Sequence, residues 1–428
     1  MSGEEENSRK RPRDEEVEGG DDDRDDDEAK GGSRPKKKKY ALIFGYSGEA
    51  YHGLQLNMDD EHPTIEAVLL KACHTVGLVS GENFAEQKKV HQKIQWQRAS
   101  RTDKGVHALR NVISAKFLSP PDGELACVKR LNAALPDDIR VYDLQPATGS
   151  FNSYLFCSGR KYDYYLPTYG LMPYEMYKTI FPPAVAPEWP TTDDIVSGKD
   201  ENNQDSSPPE GWNDRMYLFK SVPDSVLDQL HGYRINADTL SRTRRLFQTY
   251  CGTKMFHNFT PGGSSADASM HRYIRSIEVS DPFVHEGVEW VKISLDGQSF
   301  MLNQIRKMIG CVATVLASDQ KDDFVAECLE KKVKRGIPMA PANGLLLIAL
   351  DFQRYNKGLE RVQGNGDNAT GKKPVLLDEE HHKSEDVEYI RSRILGVIAK
   401  KEKDEVIMSR WMRSVRHSVR LAWERSIP

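Results

Sequence analysis

Apolar and polar positions along this chain follow two periods, one of two residues and one of three to four, and the switches between them divide it into strands and helices. Tyr40-Ala-Leu-Ile-Phe44 is an apolar strand-like run that enters the turn-rich Gly45-Tyr-Ser-Gly48 and Tyr51-His-Gly53. From Pro63 the apolar positions Ile65, Val68, Leu69, Ala72 and Val76 recur on one face, with Pro at the first turn and Gly77 beyond the end, which predicts a helix. Strand-like runs over 93–100 and 111–117 flank a polar loop, a helix over 124–135 stops at Pro136, and 139–144 reads as a strand. The run 160–166 alternates, putting Tyr162 and Tyr164 on one face and Asp163 and Tyr165 on the other. A helix over 236–250, strands over 273–279 and 289–295, a helix over 298–316 and a strand over 344–352 follow. Helices interleaved with period-two strands on short connections predict an α+β fold with a large antiparallel or mixed sheet.

The 298–316 helix carries an apolar stripe of Met301, Ile305, Met308, Ile309, Val312, Val315 and Leu316. Asn303, Arg306, Lys307 and Gly310 share the opposite flank at spacings of three, four and seven. That flank is either a wet face or a binding face, and its glycine would let a second backbone or a phosphate come close.

Composition sets the ends apart from the middle. Residues 1–39 hold 14 acidic and 11 basic side chains with almost no apolar ones, and read as a disordered tail. Their clusters Arg9-Lys-Arg-Pro-Arg13 and Arg34-Pro-Lys-Lys-Lys-Lys39 resemble nuclear-import signals or a basic tail for RNA phosphate. Residues 182–214 hold eight acids and one base among Pro, Ser and Asn, as a disordered insertion would. The net charge of −4 therefore hides a mildly basic core that suits a nucleic-acid partner. The expected organisation is a tail (1–39), a first half (40–145), a second half carrying the insertion (146–360), and a linker with a basic helical extension (361–428). In that extension Arg410, Arg413, Arg416, Arg420 and Arg425 mark one side, which either extends an RNA surface or packs on the core. Six dispersed cysteines, without zinc-ligand spacing, read as reduced intracellular thiols, no metal site is expected, and no apolar run is long enough to span a membrane.

Arg98-Ala-Ser-Arg-Thr-Asp-Lys-Gly-Val-His-Ala108 places one carboxylate, Asp103, between Arg101 and Lys104 in a loop that leads into a strand. A carboxylate beside a cation stays charged, so this is a way to hold an ionised group ready for chemistry, although a solvated loop acid has the same local sequence. His107 and His257 read as hydrogen-bonding structural residues.

Several ordered stretches together give a resemblance. They are Tyr46-Ser-Gly-x-x-Tyr-His-Gly53, the Asp103 segment, Phe151-Asn-Ser153 with Arg160-Lys-Tyr162, His257-Asn-Phe259, Gly297-Gln-Ser-Phe-Met301 with Gln304-Ile-Arg-Lys-Met308, and Pro341-Ala-x-Gly-Leu345. In these the chain resembles tRNA pseudouridine synthases of the TruA type, in their eukaryotic multisite-specific branch. The resemblance implies a pseudouridine synthase fold of two α/β halves sharing a central, mostly antiparallel sheet with a basic cleft. It implies Asp103 as the catalytic aspartate, Arg101 as the arginine that enters the RNA, Tyr162 as the tyrosine stacked on the target base, Arg306 as the basic partner of the carboxylate, and Leu345 as a wall of the uracil pocket. Lys104, Lys307 and Asn303 are taken as further substrate contacts. The implied reaction needs no cofactor. The implied partner is tRNA, with other structured RNAs open; the expected state is a monomer rather than a dimer, and the expected location is the nucleus, with the mitochondrion open. Two rival readings are an RNA-binding or RNA-folding protein of this fold with dispensable catalysis, and an acidic nuclear interaction protein.

Overall fold

The computed structural model describes residues 37–57, 61–85, 89–181, 195–197, 217–219, 222–318, 320–363, 377, 385–413 and 415. Its strands are β1 Lys37–Tyr46, β2 Gln97–Arg98, β3 His107–Leu118, β4 Ile139–Pro146, β5 Gly159–Pro167, β6 Ile195–Ser197, β7 Tyr217–Phe219, β8 Gly252–Met255, β9 His271–Val279, β10 Phe283–His285, β11 Val288–Gly297 and β12 Leu345–Asp351. Ten of them form one sheet in the order β4-β1-β3-β12-β5-β11-β9-β8, with β2 paired to β3 and β10 to β11. The fold is α+β, and the sheet is antiparallel except at its centre, where β12 runs parallel to β3 through Leu346 opposite His107 and Leu347 opposite Ala108. β4, β1 and β3 lie on one side of that junction; β5, β11, β9 and β8 lie on the other.

This arrangement gathers three segments at one place. The loop 99–106 delivers the chain into β3, and the turn Ala342–Gly344 delivers it into β12 beside β3. β5 runs back past the same end, with Tyr164 opposite Leu345 and Tyr162 opposite Leu347. The alternation expected of β5 holds: Tyr164 is fully buried and bonds the Pro341 carbonyl at 2.8 Å, whereas Asp163 and Tyr165 face Lys292 and the pocket beneath Leu395 and Ile398.

Some expectations are corrected. The first strand includes Lys37, Lys38 and Lys39 ahead of Tyr40, because their backbone pairs with Leu118, Phe117 and Lys116 whatever the side chains are. The run 93–100 is not one strand: Val90–Lys93 is a helical turn, Gln95 takes a left-handed φ of 49°, and only Gln97–Arg98 is extended. Buried Ile94 and Trp96, rather than a period of two, explain its apolar look. The last long core helix starts at Gln304, not 298, after a turn in which Asn303 is left-handed (φ 61°) and the Gln304 side chain accepts the Met301 N–H at 2.8 Å. β6, inside the expected insertion, pairs antiparallel with β7, which lies beyond its end, and the rest of 182–214 lies outside the described residues. The 1–36 part of the tail also lies outside them.

The C-terminal extension forms the helix Glu385–Glu405 and, after Val406 at φ 47°, a second helical stretch over 407–413. Ile390, Ile394 and Ile398, spaced by four, are buried against the β1, β3 and β4 side of the sheet. Buried Glu402 accepts bonds from the Met408 N–H (2.6 Å), the Ser409 hydroxyl (2.7 Å) and the Tyr169 hydroxyl (2.6 Å), which fixes the second stretch. The extension thus clads the core. Arg416, Arg420 and Arg425 lie outside the described residues, while Arg410 is partly buried, which pulls its guanidinium below its usual pKa.

Candidate active site

The motif around Tyr46-Ser-Gly48 and Tyr51-His-Gly53 is the buttress of the Asp103 loop. The Tyr46 hydroxyl and the Thr102 hydroxyl share a hydrogen bond of 2.7 Å, and the Leu54 N–H donates to the Thr102 carbonyl at 3.1 Å. A Cβ on Gly48 would sit 2.0 Å from the Val106 carbonyl oxygen, so only glycine lets the two segments touch. His107, buried at the head of β3, accepts the Gly48 N–H at Nδ1 (3.1 Å). The loop itself closes with the Val106 N–H donating to the Asp103 carbonyl at 3.1 Å, and Gly105 supplies the positive φ (76°) that such a turn requires.

The result is a cleft of about 430 Å³. Asp103, Arg101, Tyr162, Leu345 and Asn303 all line it, so the structure brings together five of the eight residues singled out in the sequence. Tyr162 lies on the floor, its hydroxyl 2.9 Å from the Ser100 hydroxyl and its ring met edge-on by Phe300 at 5.3 Å and 84°. Burial raises the Tyr162 phenol above its ordinary pKa and the Ser100 hydrogen bond offsets part of that, so it stays protonated at neutral pH.

Arg306 lies behind the cleft lining. It is 7% exposed, and its Nε donates to the Ala340 carbonyl at 2.7 Å. Burial pulls the guanidinium below its ordinary pKa, while Tyr164 and then the Asp103 carboxylate act electrostatically in the other direction.

Two of the eight are placed elsewhere. Lys104 is exposed on the turn but outside the cleft lining. Lys307 is 1% exposed, inside a helix whose every residue is buried, so it cannot meet a phosphate from solvent. The polar flank read on that helix is an interior face: a Cβ on Gly310 would sit 2.0 Å from the Pro338 carbonyl oxygen, so the glycine admits a backbone and not a ligand. His257 is structural as expected, with Nε2 at 2.8 Å from the Val333 carbonyl.

The sequence reading missed several contributors. Arg160 bridges the cleft, donating to the Ala99 carbonyl (2.8 Å) on one wall and the Gln298 carbonyl (2.9 Å) on the other; its place two residues before Tyr162 in an alternating strand was the available signal. Arg98 is held by buried Glu66, at 2.5 Å from Nε and 2.9 Å from Nη2, and Glu66 also accepts from the Trp96 indole (3.0 Å). Tyr154, Arg272 and Leu302 complete the rim.

The family model described as tRNA pseudouridine synthase matches residues 246–353. Pseudouridylate synthase 1 homolog of Homo sapiens is 32% identical over 87% of this chain and 71% of its own length, and the Mus musculus protein of the same name is 30% identical over 88% and 73%. tRNA pseudouridine synthase 1 of Candida glabrata is 37% identical over 76% of this chain, which spans 62% of that relative's length. With Asp103, Tyr162 and Leu345 in one cleft and similarity running across most of both sequences, the chain belongs to the tRNA pseudouridine synthase family.

Proposed function

We propose that this protein converts specific uridines of tRNA to pseudouridine, using Asp103 on a nucleotide swung out of its stack. The observation that carries the proposal is the shared cleft of Asp103, Tyr162 and Leu345, with the Arg306 cation behind it. In that reaction the N1–C1′ bond of uridine breaks, the uracil turns within the pocket, and C5 joins C1′. C5 loses its hydrogen and N1 gains one, so the product is an isomer and neither oxidant nor group donor is consumed. The Asp103 carboxylate assists either by adding covalently or by stabilising a cationic sugar, as carboxylates do in glycoside cleavage. Arg306 keeps a counter-charge close to it where solvent is largely excluded.

The target base must leave its stack at a cost of a few kcal/mol. Tyr162 and the apolar Leu345 offer it a face and a wall, and exposed Arg101 stands where it can enter the space the base vacates. The test is release of tritium from tRNA labelled at C5 of uridine, since joining C5 to the sugar expels that hydrogen. The intact chain is expected to release it and Asp103→Asn to lower the rate by at least about three orders of magnitude, as loss of an essential catalytic group does. Full release by Asp103→Asn would remove the carboxylate from the chemistry, whereas no release by the intact chain would leave an RNA-binding protein.

A further inference from the structure

The short helix Ser153–Phe156 presents two large apolar side chains to solvent, Tyr154 at 59% and Leu155 at 71% exposure. This is not a frayed end. The Asn152 side chain accepts the N–H groups of Tyr154 (3.0 Å) and Leu155 (3.2 Å), and the Ser153 hydroxyl donates to the Gln97 carbonyl at 2.8 Å. Phe151 and Phe156 stack at 6.0 Å beneath it. A ring held outward by so many anchors contributes little to the core, yet Tyr154 lines the same cleft as Tyr162.

Arg272, at the start of β9, lines the same cleft as Tyr154. Two of its donors, both on Nη1, are spent locally on the Ser269 and His271 carbonyls, and its Nε is buried, which leaves the Nη2 amino group as the one to meet a phosphate. Of the other cleft cations, Arg101 stands beside Asp103 at the reacting nucleotide, and two are committed. Arg98 is neutralised by Glu66, and Arg160 is tied to the Ala99 and Gln298 carbonyls. Leu302, 57% exposed, adds an apolar edge to the same rim.

We infer that Tyr154 and Arg272 form a second nucleotide subsite at the mouth of the cleft, in which the nucleotide next to the reacting uridine stacks on the Tyr154 ring and sets its phosphate against Arg272. The inference rests on the synthase reading of the cleft. Its physical logic is that flipping one base leaves the neighbour with an uncovered face, and an outward aromatic ring beside a cation is what covers a base and meets its phosphate.

The test uses a tRNA transcript whose reacting uridine has been mapped by tritium release, with an abasic residue placed on either side of it in turn. Binding of the full chain is measured at fixed salt. For the unaltered protein, loss of the base on one flank is expected to weaken binding roughly five- to hundredfold, the range of one lost stack. Tyr154→Ala should bind the normal tRNA more weakly by a similar factor and show no further loss with the abasic tRNA. Tyr154→Phe should behave as the unaltered protein, and Arg272→Gln should flatten the salt dependence by up to about one charge. Equal abasic penalties in the unaltered protein and in Tyr154→Ala would overturn the subsite. So would unchanged binding by folded Tyr154→Ala. If no uridine reacts at all, the synthase reading fails first; a mapped uridine without dependence on its neighbour sinks the subsite alone.

Discussion

Replacing Tyr162 by phenylalanine separates two tasks that a tyrosine on the floor of this cleft could perform, stacking on a base and moving a proton. The substitution removes one hydrogen bond, the 2.9 Å contact with the Ser100 hydroxyl, and leaves Ser100 with a weak 3.4 Å contact to the Arg101 carbonyl. A buried neutral hydrogen bond is worth about 0.5–1.5 kcal/mol, so the expected cost is roughly two- to tenfold in single-turnover rate. The ring, its 5.3 Å edge contact with Phe300 and its face toward the substrate survive. Tyr162→Leu removes those as well, at about 1.5–4 kcal/mol, and should slow the reaction roughly ten- to thousandfold. Because burial holds the phenol above its usual pKa, the hydroxyl cannot serve as a base near neutrality, and neither variant should shift the acidic limb of the pH–rate profile. The assay is tritium release from 5-labelled tRNA with enzyme in excess. A loss of two orders of magnitude or more in Tyr162→Phe, with tRNA binding intact, would mean that the hydroxyl takes part in proton transfer and would refute the stacking argument.

Three further outcomes follow from the scaffold. Burial lowers the His107 imidazole from 6.5 to about 4, so between those pH values the unfolded chain binds a proton that the folded chain refuses; stability therefore falls as pH drops through that window, by on the order of 3 kcal/mol, and His107→Gln should remove that part of the slope in urea unfolding at pH 7 and pH 4.5. Glu66→Gln should cost about 3 kcal/mol in the same measurement at pH 7, because it strands Arg98 and weakens the indole and Leu56 N–H contacts; an unchanged midpoint would show that the Arg98 pair is not stabilising. Arg101→Ala should reduce the salt slope of tRNA binding by up to about one charge, whereas Lys307→Met should leave that slope unaltered, since no phosphate reaches a side chain with 1% exposure.

The contrast between Arg101 and Lys307 also marks what the sequence could tell. Period-two alternation through β5 placed Tyr162 correctly because a strand in the middle of a sheet leaves each side chain only two directions. The helix was different. Asn303, Arg306, Lys307 and Gly310 have the spacing of a wet face, but this helix is buried on every side, and a charge pattern cannot reveal that internal carbonyls and a distant carboxylate await those charges. Lys37–Lys39 misled for a related reason: four lysines in a row suggest solvent, yet strand pairing draws on backbone groups that every residue carries. Tyr154 was illegible because the cleft that it lines with Arg272, 118 positions away in the chain, exists only once the sheet has formed.

The parallel junction of β3 and β12 shows why Asp103 can be both exposed enough to act and firmly placed. Only two residue pairs join those strands, Leu346 with His107 and Leu347 with Ala108, and both lie where the Asp103 loop ends. Any slip of that register would move Leu345 and Tyr162 relative to Asp103, since Leu345 and Leu347 are themselves paired with Tyr164 and Tyr162. The loop is guarded from the other side by Gly48 and Gly53, where a Cβ would lie 2.0 Å from the Val106 carbonyl oxygen and 2.9 Å from the Thr102 carbonyl oxygen. The carboxylate is therefore positioned by backbone contacts and the Tyr46–Thr102 hydroxyl bond on one flank, and by sheet register on the other. Arg101 and Lys104, its immediate neighbours, both stay exposed, with Arg101 on the cleft lining, while Arg306, 203 positions away, is the buried cation behind that lining.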